Sequence, residues 1–486
     1  MTQMTGSAPT RRARKPKAAG EQKVLSPAER AELGKAARAR VPRESHALTD
    51  FPANRPDPVG QLEQQGAPRI PELLPVRYGR MLISPFAYFR GAALPMASDL
   101  ARTPVTGLTV QACGDAHLSN FGIFGSPERR LIFDLNDFDE TLPGPWEWDV
   151  KRLAASLEVA ARENDFSRKE RAAIVAAAAG RYRETMRTFA GASHLDVWYA
   201  RADVEQVHTQ IAAQLTTRQR KAWEKGTAKA RAADSMRDLG KLTQKVDGRP
   251  RIVADPPLIV PIQDLAGSRA DPAGIEAELR GLLGEYQRTL ETDRRHLLEQ
   301  YDFTDMARKV VGVGSVGTRC WIVLFTGRDD TDPLFLQVKE AEQSVLARFA
   351  GASTFANEGQ RVVAGQRLMQ AVSDIFLGWN RIEAGLDGKP HDFYIRQLRD
   401  WKFSLDTGAM IPDGMRLYAE LCGWTLARAH ARSGDRIAIA AYLGGSAAFD
   451  QAIVAFAASY ADQNERDYRA LADAAASGRI TAQSDL

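Results

Sequence analysis

Cysteine is almost missing from this chain: Cys113, Cys320 and Cys422 are the only three in 486 residues. Spaced so widely, they form neither a disulfide framework nor a zinc site, which points to a reducing, cytoplasmic compartment. Long apolar runs are missing too. None approaches the roughly 18 residues that cross a bilayer, so no membrane partner is expected. The first residues lack the apolar core of a secretory signal. No internal repeat is visible, and neither sign of charge dominates, with 65 basic against 61 acidic residues and a net charge of +4. Part of that excess sits in "TRRARKPKAAGEQK" (10–23). The run reads as a solvated, disordered tail, with contact to nucleic acid or acidic lipid as the alternative.

What remains is ordinary globular composition, 44% hydrophobic and 26% charged, in a chain too long for one small core. The texture along it suggests a basic tail over 1–45, a helical region over 46–300, a β-rich region over 301–400 and a helical C-terminal part over 401–486. "FPANRPDPVG" (51–60) reads as an extended arm, and "VRYGRMLISPFAYFRGAA" (76–93) as helical, carrying Arg80 and Arg90. "GLTVQACGDAH" (107–117) and "RRLIFDLNDFD" (129–139) read as strands that run into polar loops. "WEWDVKRLAASLEVAAREN" (146–164) has the 3.6-residue period of an amphipathic helix, through Val150, Leu153, Leu157 and Val159. Residues 167–300 read as largely helical, with a proline-bearing break at 247–262.

Two constellations carry chemistry. In "VVGVGSVGTRCWIVLF", Gly312, Gly314 and Gly317 form G-x-G-x-x-G. A dinucleotide-binding loop of this form runs from strand into helix. Here β-branched and aromatic residues follow, so the glycines fall at a hairpin tip where backbone N–H groups approach phosphates, or in an ordinary turn. "PLFLQVKEA" then makes a further strand carrying Lys339. The second constellation is "GDAHLSNFGIFGSPERRLIFDLNDFDE" (114–140), where Asp115 precedes Asn120 by five positions and Asp134, Asp137 and Asp139 cluster at a strand end. Carboxylates and an amide so placed suit a metal–phosphate site, with a calcium-binding or solvated turn as the competing reading.

Strand, glycine hairpin, strand and strand lysine is the order that resembles the small lobe of protein kinases. "GDAHLSN" likewise resembles the G-D-x-H-x-x-N loop of aminoglycoside phosphotransferases, with Cys113 where the usual leading His stands. The resemblance implies an α+β, protein kinase-like two-lobed fold with a β-rich nucleotide lobe and a mostly helical lobe. It is circularly permuted, because the glycine hairpin follows the acidic loop. It implies ATP and Mg²⁺ as cofactors. Asp115 would be the base or hydroxyl-orienting group and Asn120 and Asp137 the metal ligands. Asp134 competes for the Asp137 role, and Asp139 or Asp134 would hold a second metal. Lys339 would grip phosphates and Glu358 would orient Lys339, while Asp149 would anchor the loop. Arg319 stands where the kinase pattern has Val. His117 would orient Asp115, touch phosphate or simply be buried. Arg396, Gln397 and Arg399 would line the adenine pocket or lie on the surface. Arg90 would bind a substrate anion or pack, and His430 is assigned no chemistry.

The same pieces, with "RMLISPFAYFRG" and "YIRQLRDWK", resemble a bacterial family catalogued as domain of unknown function 2252, over residues 75–435. The expected activity is phosphoryl transfer from ATP to a hydroxyl of a small molecule or protein. AMP transfer to a protein on the same fold, or a nucleotide-binding scaffold, are the alternatives.

Overall fold

The computed structural model describes residues 25–47, 54–211, 217–266, 281–385, 387–398 and 401–483. The basic run 10–23 and Arg399 lie outside them. Helices and antiparallel sheets are mixed throughout, an α+β arrangement.

The helix Pro27–Arg40 starts at a capping box between Ser26 and Glu29. The extended reading of 51–60 fails at Asp57, whose carboxylate accepts the N–H groups of Val59 and Gly60 and opens the helix Pro58–Gly66. Pro58 costs that helix nothing, since a first-turn N–H has no intrahelical partner. The stretch 76–93 is not one helix. Leu74–Met81 ends, and Ser84 caps a new helix, Pro85–Gly91.

Two small ladders then build the acidic region. Thr109–Ala112 pairs with Leu142–Pro145, and Phe121–Gly125 pairs with Leu131–Leu135, all antiparallel. The loops 113–120 and 136–141 leave these ladders next to each other. Behind them runs the helix Trp146–Glu163, packed on Arg168–Ala190 and Ala448–Ala476. The amphipathic reading of this helix needs correcting, because residues 146–161 are buried on every side. Its charged residues survive burial by being partnered. Glu147 accepts the Thr106 N–H (2.7 Å), Lys151 reaches the Thr103 hydroxyl (2.9 Å), and Glu158 meets Arg162 and Arg171.

The largest sheet has six antiparallel strands in the order Gly378–Ile382, His391–Gln397, Pro333–Glu340, Cys320–Thr326, Asp302–Lys309, Ile259–Pro261. It therefore draws an edge strand from before residue 301. The proline-bearing break also forms a hairpin, Thr243–Val246 with Arg249–Ile252. Side chains alternate across the sheet. Trp321, Val323, Leu336, Phe393 and Ile395 pack on Tyr286, Leu290 and Leu298, while Ile322, Leu324 and Phe335 face Ile252. Lys339 shares the second face. The helix Glu358–Met369 follows the lysine strand, and Pro412–Ser433, Arg436–Leu443 and Ala448–Ala476 complete the chain.

Among the described residues no single helix is long and apolar enough to cross a membrane. The pair Arg436–Leu443 and Ala448–Ala476 passes that test only jointly, across a bend of 85°.

Candidate functional site

The loop that carries Asp115 hangs on three successive turns of the buried helix. Asp149 accepts the N–H groups of Cys113 (2.6 Å) and Gly114 (2.9 Å). Arg152 grips Asp115 Oδ1 through Nε (2.8 Å) and Nη2 (2.7 Å). Ser156 Oγ accepts the Leu118 N–H at 2.9 Å. Positions 149, 152 and 156 lie on one helix face, so a single rigid element sets the loop. Asp149 is itself held by His430 Nε2 at 3.1 Å, and His430 Nδ1 meets the Tyr182 hydroxyl at 2.9 Å. His430, with no chemistry to its name in the sequence, is thus part of the support. Asn120 Nδ2 donates to the Asp115 carbonyl (2.6 Å), which leaves the amide oxygen to serve as a ligand. Burial and the Asp149 carboxylate push the Cys113 thiol well above its ordinary range, so Cys113 is no nucleophile.

The glycines do form a hairpin, between Asp302–Lys309 and Cys320–Thr326. Gly312 and Gly317 have φ of +69° and +91°, a region that side chains disfavour. The Arg80 guanidinium donates to the Gly312 carbonyl (2.8 Å), and Arg69 donates to the carbonyls of Gly314 and Val316. Val313 and Val316 insert into apolar clusters with Val59 and Met81 and with Leu73 and Val76. The N–H groups of Gly314 and Ser315 have no acceptor among the described residues.

Lys339 reaches across to the acidic loop. Its ammonium contacts Asp139 directly and lies 3.6 Å from Asp137, although Lys339 and Asp139 are 200 residues apart in the chain. Tyr394, on the neighbouring strand, donates its hydroxyl to Asp139 Oδ1 at 2.7 Å. Burial alone would raise Asp137, but Lys339 and Arg396 hold it below the usual carboxylate range. Burial and the charge of Asp137 push Asp139 the other way, above it. Burial disfavours the Lys339 ammonium, yet the two aspartates more than offset this and keep it charged far into alkali. Burial raises Glu140 to about 7, against the pull of the Val345 N–H and Arg361. Burial likewise lowers His117 to about 4, so the imidazole is neutral at pH 7; its Nε2 lies 3.7 Å from Asp115 Oδ2.

Two expected roles do not fit. Glu358 does not pair with Lys339: its carboxylate turns to Arg361 on the same helix. The helix presents Arg361 instead, which donates to the carbonyls of Thr141 (2.7 Å), Asp139 (2.9 Å) and Glu342 (2.8 Å). Asp134 is no metal ligand either. It is fully buried against Arg428 and accepts the N–H of Ala371 at 2.8 Å.

One cavity of about 100 Å³ gathers most of the rest. Asp115, His117, Asn120, Asp137 and Asp139 line it, with Gly312, Gly314 and Ser315 above and Arg90 beside them. Gly317 stands apart, its carbonyl accepting the Ile70 N–H at 2.8 Å. Gln397 and Arg396 line a separate, smaller space of about 60 Å³ with Asn136 and Lys402. A larger apolar cavity of about 580 Å³ lies on the opposite sheet face, against Trp321, Val323 and Val338. Its charged lining residues Arg308, Arg319 and His391 are paired with Glu72, Glu340 and Asp387.

The oxygens of Asn120, Asp137 and Asp139 are hard donors suited to Mg²⁺. Among the described residues no group of three or more His, Cys, Asp or Glu forms a ready metal cage. Magnesium does not require one, since it is usually held by one or two carboxylates together with substrate phosphates. Sequence reasoning missed Arg152, Arg361 and Tyr394. Arg152 was findable from the helical spacing of Asp149, Arg152 and Ser156; the other two meet the loop only through the fold.

A family model described as an uncharacterized protein conserved in bacteria matches residues 69–474. No curated protein and no solved structure matches the chain.

Proposed function

The chain belongs to the bacterial family catalogued as domain of unknown function 2252, and we propose that it is an ATP- and Mg²⁺-dependent phosphotransferase acting on a hydroxyl. On this reading the fold is protein kinase-like, two-lobed and circularly permuted. The observation that carries it is the meeting of remote motifs: Lys339 contacts Asp139 while the glycine hairpin and Asp115 line the same cavity.

The acceptor oxygen attacks the γ-phosphorus, forming a new P–O bond as the bond to the bridging oxygen breaks and ADP leaves with the electron pair. The hydroxyl proton passes to Asp115 Oδ2, the oxygen that Arg152 leaves free. Arg152 thereby fixes the direction of the base. Lys339 supplies a point charge to the phosphates, and the free N–H groups of Gly314 and Ser315 supply donors. Asn120, Asp137 and Asp139 would hold magnesium, which neutralises phosphate charge. At about 100 Å³ the cavity is smaller than the roughly 300 Å³ of a typical ligand pocket, and it suits only the reacting phosphoryl and hydroxyl ends. Entry of a whole nucleotide then requires the glycine hairpin to lift from Arg69 and Arg80.

The test is label transfer. Protein is incubated with Mg²⁺, a small-molecule extract and ATP labelled at either the γ- or the α-phosphate. Product carrying the γ label is expected. Product carrying the α label would replace phosphoryl transfer by AMP transfer, and neither product would favour a nucleotide-binding scaffold. Lys339→Ala should weaken ATP binding at least tenfold; unchanged affinity would remove Lys339 from the site and with it most of this reading.

A further inference from the structure

The cavity has six carboxylates in its wall, from Asp115, Asp137, Asp139, Glu140, Glu340 and Glu342. The cations around it are nearly all committed. Lys339 holds Asp139, Arg152 holds Asp115, and Arg69 spends its guanidinium on the glycine-hairpin carbonyls and Glu342. Arg90 differs. Its guanidinium lines the cavity, its Nε is buried without a hydrogen-bond partner, and it pairs with no carboxylate among the described residues. The residue is half-buried, so the rest of the guanidinium stays open to the cavity with donors that no described residue uses. Left unpaired beside so many acids, it is held for something that arrives.

Its position says which end of the reaction it serves. Arg90 sits in the last turn of the helix Pro85–Gly91. The carbonyl of its neighbour Phe89 accepts from Arg152 Nη2 at 2.7 Å, and the same Arg152 orients Asp115. Arg90 is therefore tied to the base, where the acceptor hydroxyl lies; its own carbonyl also abuts Gly314 of the glycine hairpin, and the measurement below separates the two ends. The planar fork of arginine matches the two oxygens of a phosphate or carboxylate. Resting on the phosphotransferase reading above, we propose that Arg90 receives an oxyanion carried by the acceptor, so that the acceptor is an anionic alcohol bearing a phosphate or carboxylate.

Inorganic phosphate is the probe. It is titrated calorimetrically into protein saturated with Mg²⁺ and a non-hydrolysable ATP analogue, so that the γ-phosphate position is already filled. Wild type should bind phosphate, Arg90→Gln should bind it at least tenfold more weakly, and Arg90→Lys should fall between, since a single ammonium keeps the charge but loses the fork. Affinity for the ATP analogue should match wild type in both variants. Equal phosphate binding in wild type and Arg90→Gln, or none in wild type, would overturn the assignment. Loss of preference for the ATP analogue over ADP in Arg90→Gln would overturn it as well, because the oxyanion would then be the γ-phosphate. Should wild type bind no nucleotide but still hold phosphate through Arg90, the phosphotransferase reading fails and the anion site stands. If Arg90→Gln is not folded by thermal melting, Arg90→Lys alone decides, by the same comparison.

Discussion

Asp134 and Asp137 stand three residues apart and live in different worlds. Asp134 is inside the strand Leu131–Leu135, in contact with Arg428, which also donates to the Met369 carbonyl. Asp137 lies beyond the strand, in the cavity, near Lys339. Removing Asp134 leaves a buried guanidinium unpaired, a change that costs about 3–5 kcal/mol. Asp134→Ala is thus expected to lower the melting temperature by many degrees while folded protein still turns over. Asp137→Ala should melt close to wild type, because Lys339 keeps Asp139, and should lose turnover entirely. Melting curves and label transfer on both variants check this; an inactive but fully stable Asp134→Ala would exchange the two roles. The spacing of Asp115 and Asn120 is legible because it is local, whereas nothing so local separates Asp137 from its competitor Asp134. The partner of Lys339 was not legible. Whether Glu358 or Asp139 reaches an ammonium depends on where a helix end packs, and nothing in the local pattern encodes it.

At the scale of elements, the most extensive helix pairing among the described residues is between Arg168–Ala190 and Pro412–Ser433, which approach closely. Gly423 makes that approach possible, since a Cβ there would run into the Ala178 carbonyl. In an exposed helix, glycine to alanine gains about 1 kcal/mol. Here the sign should reverse, with Gly423→Ala losing roughly 1–3 kcal/mol by overpacking, read from urea unfolding. A gain in stability would show that the helices separate easily. The hairpin, the lysine strand and the terminal helices were all readable from periodicity and punctuation. The edge strand Ile259–Pro261 was not, for three residues carry too little pattern to mark a strand. Nor was the all-round burial of Trp146–Glu163, because its buried charges imitate a solvated face.

Over the whole molecule, the two ends of the described chain close on each other. Arg38 and Arg43 donate to carbonyls of Tyr442 and Leu443, both at 2.7 Å, and Arg55 bridges Asp99 and Asp467. His46 lies fully buried in this seam, with Nε2 2.7 Å from the Tyr442 hydroxyl and its ring edge-on to Phe449. Burial, with Lys151 adding to it, lowers its pKa from 6.5 to about 3. The unfolded chain therefore takes up this proton first, and stability is lost as pH falls from about 6.5 towards 3, by roughly 4 kcal/mol at most from this one group. His46→Asn should flatten the stability profile across that window; an unchanged slope would assign the acid sensitivity elsewhere. The chain order of the site's parts has a further consequence, one of timing. The loop with Asp115 is synthesised well before two of its supports: Asp149 is held by His430, and the carbonyls of Leu118 and Phe121 accept from the Tyr418 hydroxyl at 2.8 and 3.1 Å. Those partners emerge from the ribosome some 300 residues later. At synthesis rates of about 5–20 residues per second, the nascent acidic loop waits at least about 15 s for these late partners. A ribosome-bound chain arrested before residue 412 should therefore be cut readily by protease around residues 113–140, and become resistant there only once the last helices have left the exit tunnel.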